Sequence, residues 1–209
     1  AYNLKIKDGS YIFDVQTPSQ VIKDVEFNLP GRHNLSNALI ALAMAVEFGC
    51  SPYSLVSALA SYKGVQRRFT YVIKDSDFVL IDDYAHHPEE INAVFQAAEE
   101  MYPEKKKLVI FQPHLFSRTK DFADEFASSL AKFDSILLLD IYPARELPIE
   151  GVSSQWLLDK IDNPNKKIIS KSEIVKEIQK SKIKVIVTIG AGDIGAEVKH
   201  IKESLSIAS

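Results

Sequence analysis

The sequence predicts an α/β protein in two parts. Residues 67–209 read as a mostly parallel sheet with helices on both faces, and residues 1–66 as strands followed by two helices. Three observations carry this. Past Gly64, continuous apolar runs alternate with helical patterns, as strands buried on both faces require. Residues 1–29 instead alternate apolar and polar, the period of half-buried strands. From Asn34 the apolar spacing becomes helical and stays so until the change of pattern near residues 64–67.

The elements follow in order. Tyr2/Leu4/Ile6 and Tyr11/Phe13/Val15 predict two strands joined by a hairpin at Asp8-Gly9, and Val21 through Leu29 a third. Leu35, Leu39, Leu42, Ala43 and Val46 mark one face of a helix that Gly49 closes. Ser51-Pro52 opens a second helix, with serine as N-cap and proline in the first turn, running to about Tyr62. Strands are expected at 69–73, 78–81, 108–111, 135–139 and 184–189. Helices are expected near 88–101, 122–132, 154–161, 172–180 and 194–205.

Composition narrows the function classes. A net charge of -3 gives no electrostatic reason to bind nucleic acid or an anionic membrane. The single Cys50 forms no intrachain disulfide, reads as a small buried apolar filler and suits a reducing, cytoplasmic setting. No apolar run reaches the ~20 residues of a membrane-spanning helix. The chain opens in a strand pattern without Met, as a piece of a longer protein would.

Polar residues collect where ligands bind in an open α/β sheet, beyond the carboxyl ends of strands. Asp82-Asp83-Tyr84-Ala85-His86-His87 follows one predicted strand and Gln112-Pro113-His114, with Arg118, the next. Asp140 to Glu146 follows a third, and Gly190-Ala191-Gly192-Asp193 the last. Asp82, His86 and His87 carry metal-ligand chemistry, but their spacing matches no zinc signature, so no metal is expected there. Gly190 to Gly195 fits G-x-G-x-x-G, yet only 14 residues follow, too few for the rest of a dinucleotide unit. A tight turn into a helix N-terminus is the reading that remains. In the first part, Asn34 reads most simply as an N-cap, whereas Asn37, one turn on, needs another explanation. Two carboxamides on one helix edge, beside His33, can read a purine's mixed donors and acceptors. Gln66-Arg67-Arg68 places cationic forks for phosphate at the boundary.

In combination, Gly31-Arg32-His33-Asn34-Leu35-Ser36-Asn37-Ala38, Arg67-Arg68-Phe69 and Asp82 through Pro88 resemble the Mur ligase family. Phe111-Gln112-Pro113-His114, Ser117-Arg118-Thr119, Pro143-Ala144-Arg145-Glu146 and Gly190 through Ile194 narrow the likeness to its L-alanine-adding branch. The resemblance implies an ATP-dependent, amide-forming ligase of peptidoglycan precursor synthesis. It would join L-alanine to UDP-N-acetylmuramate through an acyl phosphate, with Mg²⁺ held mostly by residues outside this chain. Residues 1–66 would be the end of the central ATPase domain and residues 67–209 the C-terminal Rossmann-like domain. Nucleotide contacts would come from His33, Asn34, Asn37, Arg68 and Asp83, with Asp83 on the ribose and Arg68 on the phosphates. The substrate side would hold His86, His87, His114, Arg118, Gly192 and Asp193, with Arg68 and His86 acting in catalysis. Leu115 stands where many members carry arginine, and no G-x-x-x-x-G-K-[ST] loop occurs, so this chain alone is expected to be inactive. The rival readings are a ligase that adds a preformed peptide to the same UDP-sugar, a non-catalytic nucleotide-binding module, and a nicotinamide dehydrogenase.

Overall fold

The computed structural model describes residues 1–18 and 20–206, without the side chains of His33 and Ser206. It divides into two units, residues 1–65 with 96–103, and residues 66–95 with 104–209.

In the first unit, β1 (Tyr2–Lys7), β2 (Ser10–Gln16) and β3 (Val21–Phe27) form an antiparallel meander in sequence order. Asp8 and Gly9 both take positive φ, 50° and 71°, which suits the right-handed twist of a two-residue hairpin. The inward side chains Tyr11, Phe13, Val15, Ile22, Val25 and Phe27 pack with Leu35, Ala38 and Leu42 of α1 (Arg32–Glu47). α2 (Pro52–Ser61) adds Leu55, Val56 and Leu59, and Met101 closes the cluster.

Three expectations need correction here. Asn34 is not the N-cap: Gly31 is, and Asn34 sits in the first turn with its Nδ2 donating to the Pro30 carbonyl at 2.7 Å. Ala43 lies exposed, because the buried face of α1 runs through Leu35, Ala38 and Leu42. The other side of that helix is also apolar, with Ile40, Met44 and Phe48 exposed at 60%, 58% and 86%. Cys50 is exposed as well, since the chain leaves the helix at Phe48 and turns at Gly49 (φ 82°) before α2 begins.

The second unit is a six-stranded sheet in the order β4-β5-β9-β6-β7-β8. Its strands are β4 (Thr70–Lys74), β5 (Val79–Asp83), β6 (Lys107–Phe111), β7 (Ser135–Leu138), β8 (Lys166–Ile168) and β9 (Val185–Ile189). All are parallel except β4, which pairs antiparallel with β5. The connecting helices are α3 (Pro88–Met101), α4 (Phe116–Asp121), α5 (Ala123–Leu130), α6 (Ser154–Lys160), α7 (Ile174–Ser181) and α8 (Ile194–Ser206). Strands β5, β6 and β9 are buried along their whole length, as their continuous apolar runs predict. On one face Leu80, Ile110, Leu137 and Ile186 pack with Ile174 and Ile178 of α7 and Ile194 and Ile201 of α8. On the other, Phe111 meets Phe126 of α5 with ring centroids 5.6 Å apart.

Two elements escape the sequence pattern. β8 is a three-residue edge strand carrying two lysines, so it shows no apolar run. α4 starts from Leu115, which offers no side-chain cap. Its cap comes from afar: Glu146 accepts from the Ser117 amide at 3.0 Å and the Ser117 hydroxyl at 2.5 Å.

Tyr11 anchors the first unit. Its fully buried hydroxyl donates to the Glu100 carboxylate and accepts the Gly31 amide at 3.1 Å, fixing the entry to α1. Burial and the Glu100 hydrogen bond both raise its pKa. Tyr11→Phe leaves the Gly31 amide and the carboxylate without that partner, so it should cost about 1–3 kcal/mol in denaturant unfolding. A variant as stable as the parent would contradict this role.

Candidate functional site

The site is built on the second unit, where chain order and sheet order part. The chain passes from β5 to β6, and on to β7 and β8, before β9 returns to the slot between β5 and β6. Helix α8 leaves β9 on the face that it shares with α7, whereas α5, which follows β6, covers the opposite face. The carboxyl ends of β5, β9 and β6 therefore surround a topological switch point, the usual ligand crevice of such sheets.

Arg67 holds this crevice together. Its Nε donates to Asp82 Oδ2 at 3.0 Å and its Nη2 to the Gly190 carbonyl at 2.6 Å. Its guanidinium lies 5.1 Å from the Tyr84 ring centroid, and its carbonyl accepts the Tyr84 amide at 2.7 Å. Asp82 is buried and takes a second bond, from Thr188 Oγ1 at 2.9 Å, so β4's approach, β5 and β9 are tied at one carboxylate. Gly195 leaves room for this clamp: a Cβ there would lie 2.5 Å from the guanidinium carbon and would press on it. Of the two adjacent arginines, only Arg68 is left for another partner. Its side chain is 54% exposed and reaches Glu90 at 3.6 Å.

Asp83 points inward. It is 5% exposed, with Oδ2 accepting the Phe69 amide and Oδ1 the Ala85 amide, both at 2.7 Å. A carboxylate has about four acceptor positions, so each oxygen can take one further donor. Burial pushes its pKa up to about 6, against the pull of those two amides and of Arg68. Glu90, one turn into α3, accepts the His86 and His87 amides at 2.8 and 3.2 Å. Burial raises its carboxyl, but the His86 amide, the His86 ring and Arg68 together hold it below the usual value.

Beside these lie two histidines with opposite hydrogen-bond polarity. His86 Nδ1 is 3.0 Å from the Tyr84 carbonyl, which can only accept, so a neutral ring keeps its proton there and leaves Nε2 as an acceptor. His114 Nδ1 is 3.4 Å from Arg118 Nη1, which can only donate, so its proton sits on Nε2. Burial, Arg118 and His86 all lower the His114 pKa, favouring the neutral ring. The two ring centroids are 6.3 Å apart. One acceptor, one donor and the Arg118 guanidinium thus share a rim, a set able to take a small molecule with an amine and a carboxylate.

Two expected residues are placed elsewhere. The His87 ring packs edge-on against Phe122 at 4.6 Å, which turns it away from His86 toward the start of α5. Asp193 is taken up in the frame: Oδ1 accepts from Gln112 Nε2 at 2.7 Å and Oδ2 pairs with Lys171. Gln112 is buried, and its Oε1 accepts the Ile194 amide at 2.9 Å. A Cβ on Gly192 would sit 2.4 Å from that oxygen. In the first unit, Asn34 is engaged with Pro30, Asn37 is exposed, and the His33 side chain lies outside the described residues.

In the sequence reading Arg67 is a phosphate fork alongside Arg68, whereas its guanidinium is taken up by Asp82, Gly190 and Tyr84. Glu90, Tyr142 and Lys171 had no assigned role in the sequence reading. Only Glu90 left a usable sign, as an acid four residues beyond His86 at the start of a helix. Among the described residues, no group of three or more His, Cys, Asp and Glu side chains could hold a metal ion. Among the described residues, no helix is long and apolar enough to cross a membrane.

Residues 67–204 match the family model described as Mur ligase, glutamate ligase domain. A UDP-N-acetylmuramate–L-alanine ligase of Flavobacterium psychrophilum is 63% identical over 205 residues, covering 98% of this chain and 46% of that relative. The ligase of the same name from Christiangramia forsetii is 62% identical over 205 residues, with 98% and 45% covered. The crystal structure of UDP-N-acetylmuramate-alanine ligase MurC from Thermotoga maritima aligns with a TM-score of 0.78 at 25% identity, covering 99% of this chain and 45% of that one. Folylpolyglutamate synthase of Mycobacterium tuberculosis, complexed with ADP and AMPPCP, shares the fold at a TM-score of 0.71 and 16% identity, covering 95% and 46%. The chain spans less than half the length of these relatives.

The buried Asp83 makes a pH prediction. Its folded pKa, about 6, lies above the ordinary 3.8, so above pH 6 the native state holds a charge that burial disfavours. As pH falls from 6 toward 4, the native state takes up the proton before the unfolded chain does, and this group's contribution to stability rises. Urea midpoints measured from pH 7 to pH 5 should show this gain, and Asp83→Asn should remove it. The same pH dependence in the variant would assign the effect to other groups.

Proposed function

Because the chain belongs to the Mur ligase family, with residues 67–204 matching its domain model, we propose that it is part of an ATP-dependent ligase of peptidoglycan precursors that joins L-alanine to UDP-N-acetylmuramate. The reading rests above all on the rim formed by His86, His114 and Arg118, which offers the three contacts an amino acid needs. The names of the Flavobacterium and Christiangramia relatives support the choice of substrates.

The reaction we propose runs in two steps. The muramyl carboxylate attacks the γ-phosphorus of ATP, ADP leaves, and an acyl phosphate forms. The amine of L-alanine then attacks the acyl carbon, an amide forms, and inorganic phosphate leaves. Arg118 pairs with the amino acid's carboxylate, and the His114 Nε2–H donates a second hydrogen bond to it. His86 Nε2 accepts the proton that the ammonium must lose before it can attack. Arg68 leaves its exposed pair with Glu90, which costs little, and meets the phosphoryl oxygens. His33, Asn34 and Asn37 are the proposed adenine-side contacts. Asp83 takes a ribose hydroxyl on whichever carboxylate oxygen retains an open acceptor position. Mg²⁺ would be held mostly by residues outside this chain and would supply charge stabilisation to the phosphates.

The full-length protein, given ATP, Mg²⁺, UDP-N-acetylmuramate and L-alanine, should release phosphate and form the alanyl product, whereas the 209-residue chain alone should do neither. Arg68→Ala in the full-length protein should lower kcat by roughly 10²- to 10³-fold, the usual effect of removing one transition-state donor. A panel of amino acids and short peptides supplies the competing test. Preference for a peptide over L-alanine would overturn the substrate, and an unchanged kcat in Arg68→Ala would overturn the arginine's role.

A further inference from the structure

His114 stands in the turn after β6, outside any helix or strand, with Arg118 beside its Nδ1. A second neighbour lies across the rim. Residues 114 and 142 form an isolated parallel bridge, with the Leu115 amide donating to the Tyr142 carbonyl at 2.9 Å and the Tyr142 amide to the Pro113 carbonyl at 2.8 Å. Side chains directly opposite in such a pair emerge on the same side and meet. Here the rings stack, with centroids 5.6 Å apart and planes 21° from parallel. Tyr142 is backed in turn by Gly192, where a Cβ would lie 2.7 Å from both Cβ and Cγ of the tyrosine. The backbone at 192 is not among the positive-φ positions, so space and not conformation makes glycine necessary.

We infer that Tyr142 is a positioning residue for His114, and that Gly192 is needed to leave room for its ring. The stack limits rotation of the imidazole and keeps Nδ1 toward Arg118, so that Nε2–H is presented as a donor. This accounts for Gly192 without a substrate contact. It also explains why the segment after β7 belongs to the rim although it supplies neither the base nor the guanidinium. The inference deepens the ligase reading and rests on it for its kinetic part only.

Two measurements test it separately. In the 209-residue chain, ¹H–¹³C spectra of His114 should show ring protons displaced by the tyrosine's ring current. Tyr142→Leu, which keeps apolar bulk but removes the ring, should abolish that displacement and Tyr142→Phe should retain it. In the full-length protein, Tyr142→Leu should raise KM for L-alanine about 3- to 10-fold, the scale of one aromatic pair, and leave KM for ATP unchanged. Tyr142→Phe should behave as the parent. If Tyr142→Leu fails to fold, Tyr142→Met, which keeps flexible apolar bulk and also lacks the ring, should give the same changes. Unaltered His114 signals in the ring-less variant, or equal increases in KM for ATP and L-alanine, would overturn the inference. A parent protein that does not use L-alanine would overturn the ligase reading alone, with the spectra still deciding the role of Tyr142.

Discussion

The arrangement of the rim depends on one cation. Arg67 bonds a buried carboxylate at the end of β5, a carbonyl at the end of β9 and the face of Tyr84. A guanidinium suits this place because its planar fork of donors serves two acceptors at once and stacks on an aromatic ring. Its burial is favourable only because both charges are satisfied. Asp82 has Arg67 and Thr188 as partners, and removing Arg67 would leave the buried carboxylate without its cation. The constraint then extends to glycine: Gly195 leaves the space that the guanidinium fills.

Around this frame the polar residues divide into two sets. Asp82, Gln112 and Asp193 hold strand ends and loop together: Asp82 binds Arg67 and Thr188, Asp193 binds Gln112 and Lys171, and Gln112 accepts the Ile194 amide. Asp83 stands between the sets, since it takes two amides within its own neighbourhood and each oxygen can accept one further donor. Arg68, His86, His114 and Arg118 keep donors or acceptors available at the edge. Buried groups are poor at meeting a ligand that must arrive and leave, whereas half-exposed ones can exchange water for substrate at small cost. Glu90 mediates between the sets, since it fixes the His86 backbone and holds Arg68 by an exposed pair.

Much of the fold could be read from residue patterns. The runs in β5, β6 and β9 announced a parallel, doubly covered sheet, and Asp8-Gly9 announced the hairpin. What could not be read depended on contacts distant in sequence. The start of α4 needs Glu146 as its cap, 29 residues from Ser117, and no local pattern encodes that. β8 is too short and too charged to show a period. The site was legible to the level of loops: each polar cluster lies at a strand's carboxyl end, as the pattern required. It was not legible to the level of side chains. Two adjacent arginines look alike in a sequence, but one is a clamp and the other is exposed. Two adjacent histidines look alike too, yet His86 meets Tyr84 while His87 packs on Phe122. Alternation along a segment sends neighbours to different surroundings, and only the packed structure says which is which.

The claim that Arg67 organises the rim is tested most directly by amide hydrogen exchange in Arg67→Met, which keeps bulk and loses the charge. The Gly190 amide, bonded to the Asp83 carbonyl, and the Ile194 amide, bonded to Gln112, report on the rim. The Ile136 amide, bonded to the Asn165 carbonyl, reports on the far side of the same sheet. If the clamp holds the switch point, Gly190 and Ile194 should lose protection while Ile136 keeps it, because local opening need not involve the whole unit. Equal loss at all three, or no loss at Gly190 and Ile194, would contradict the account.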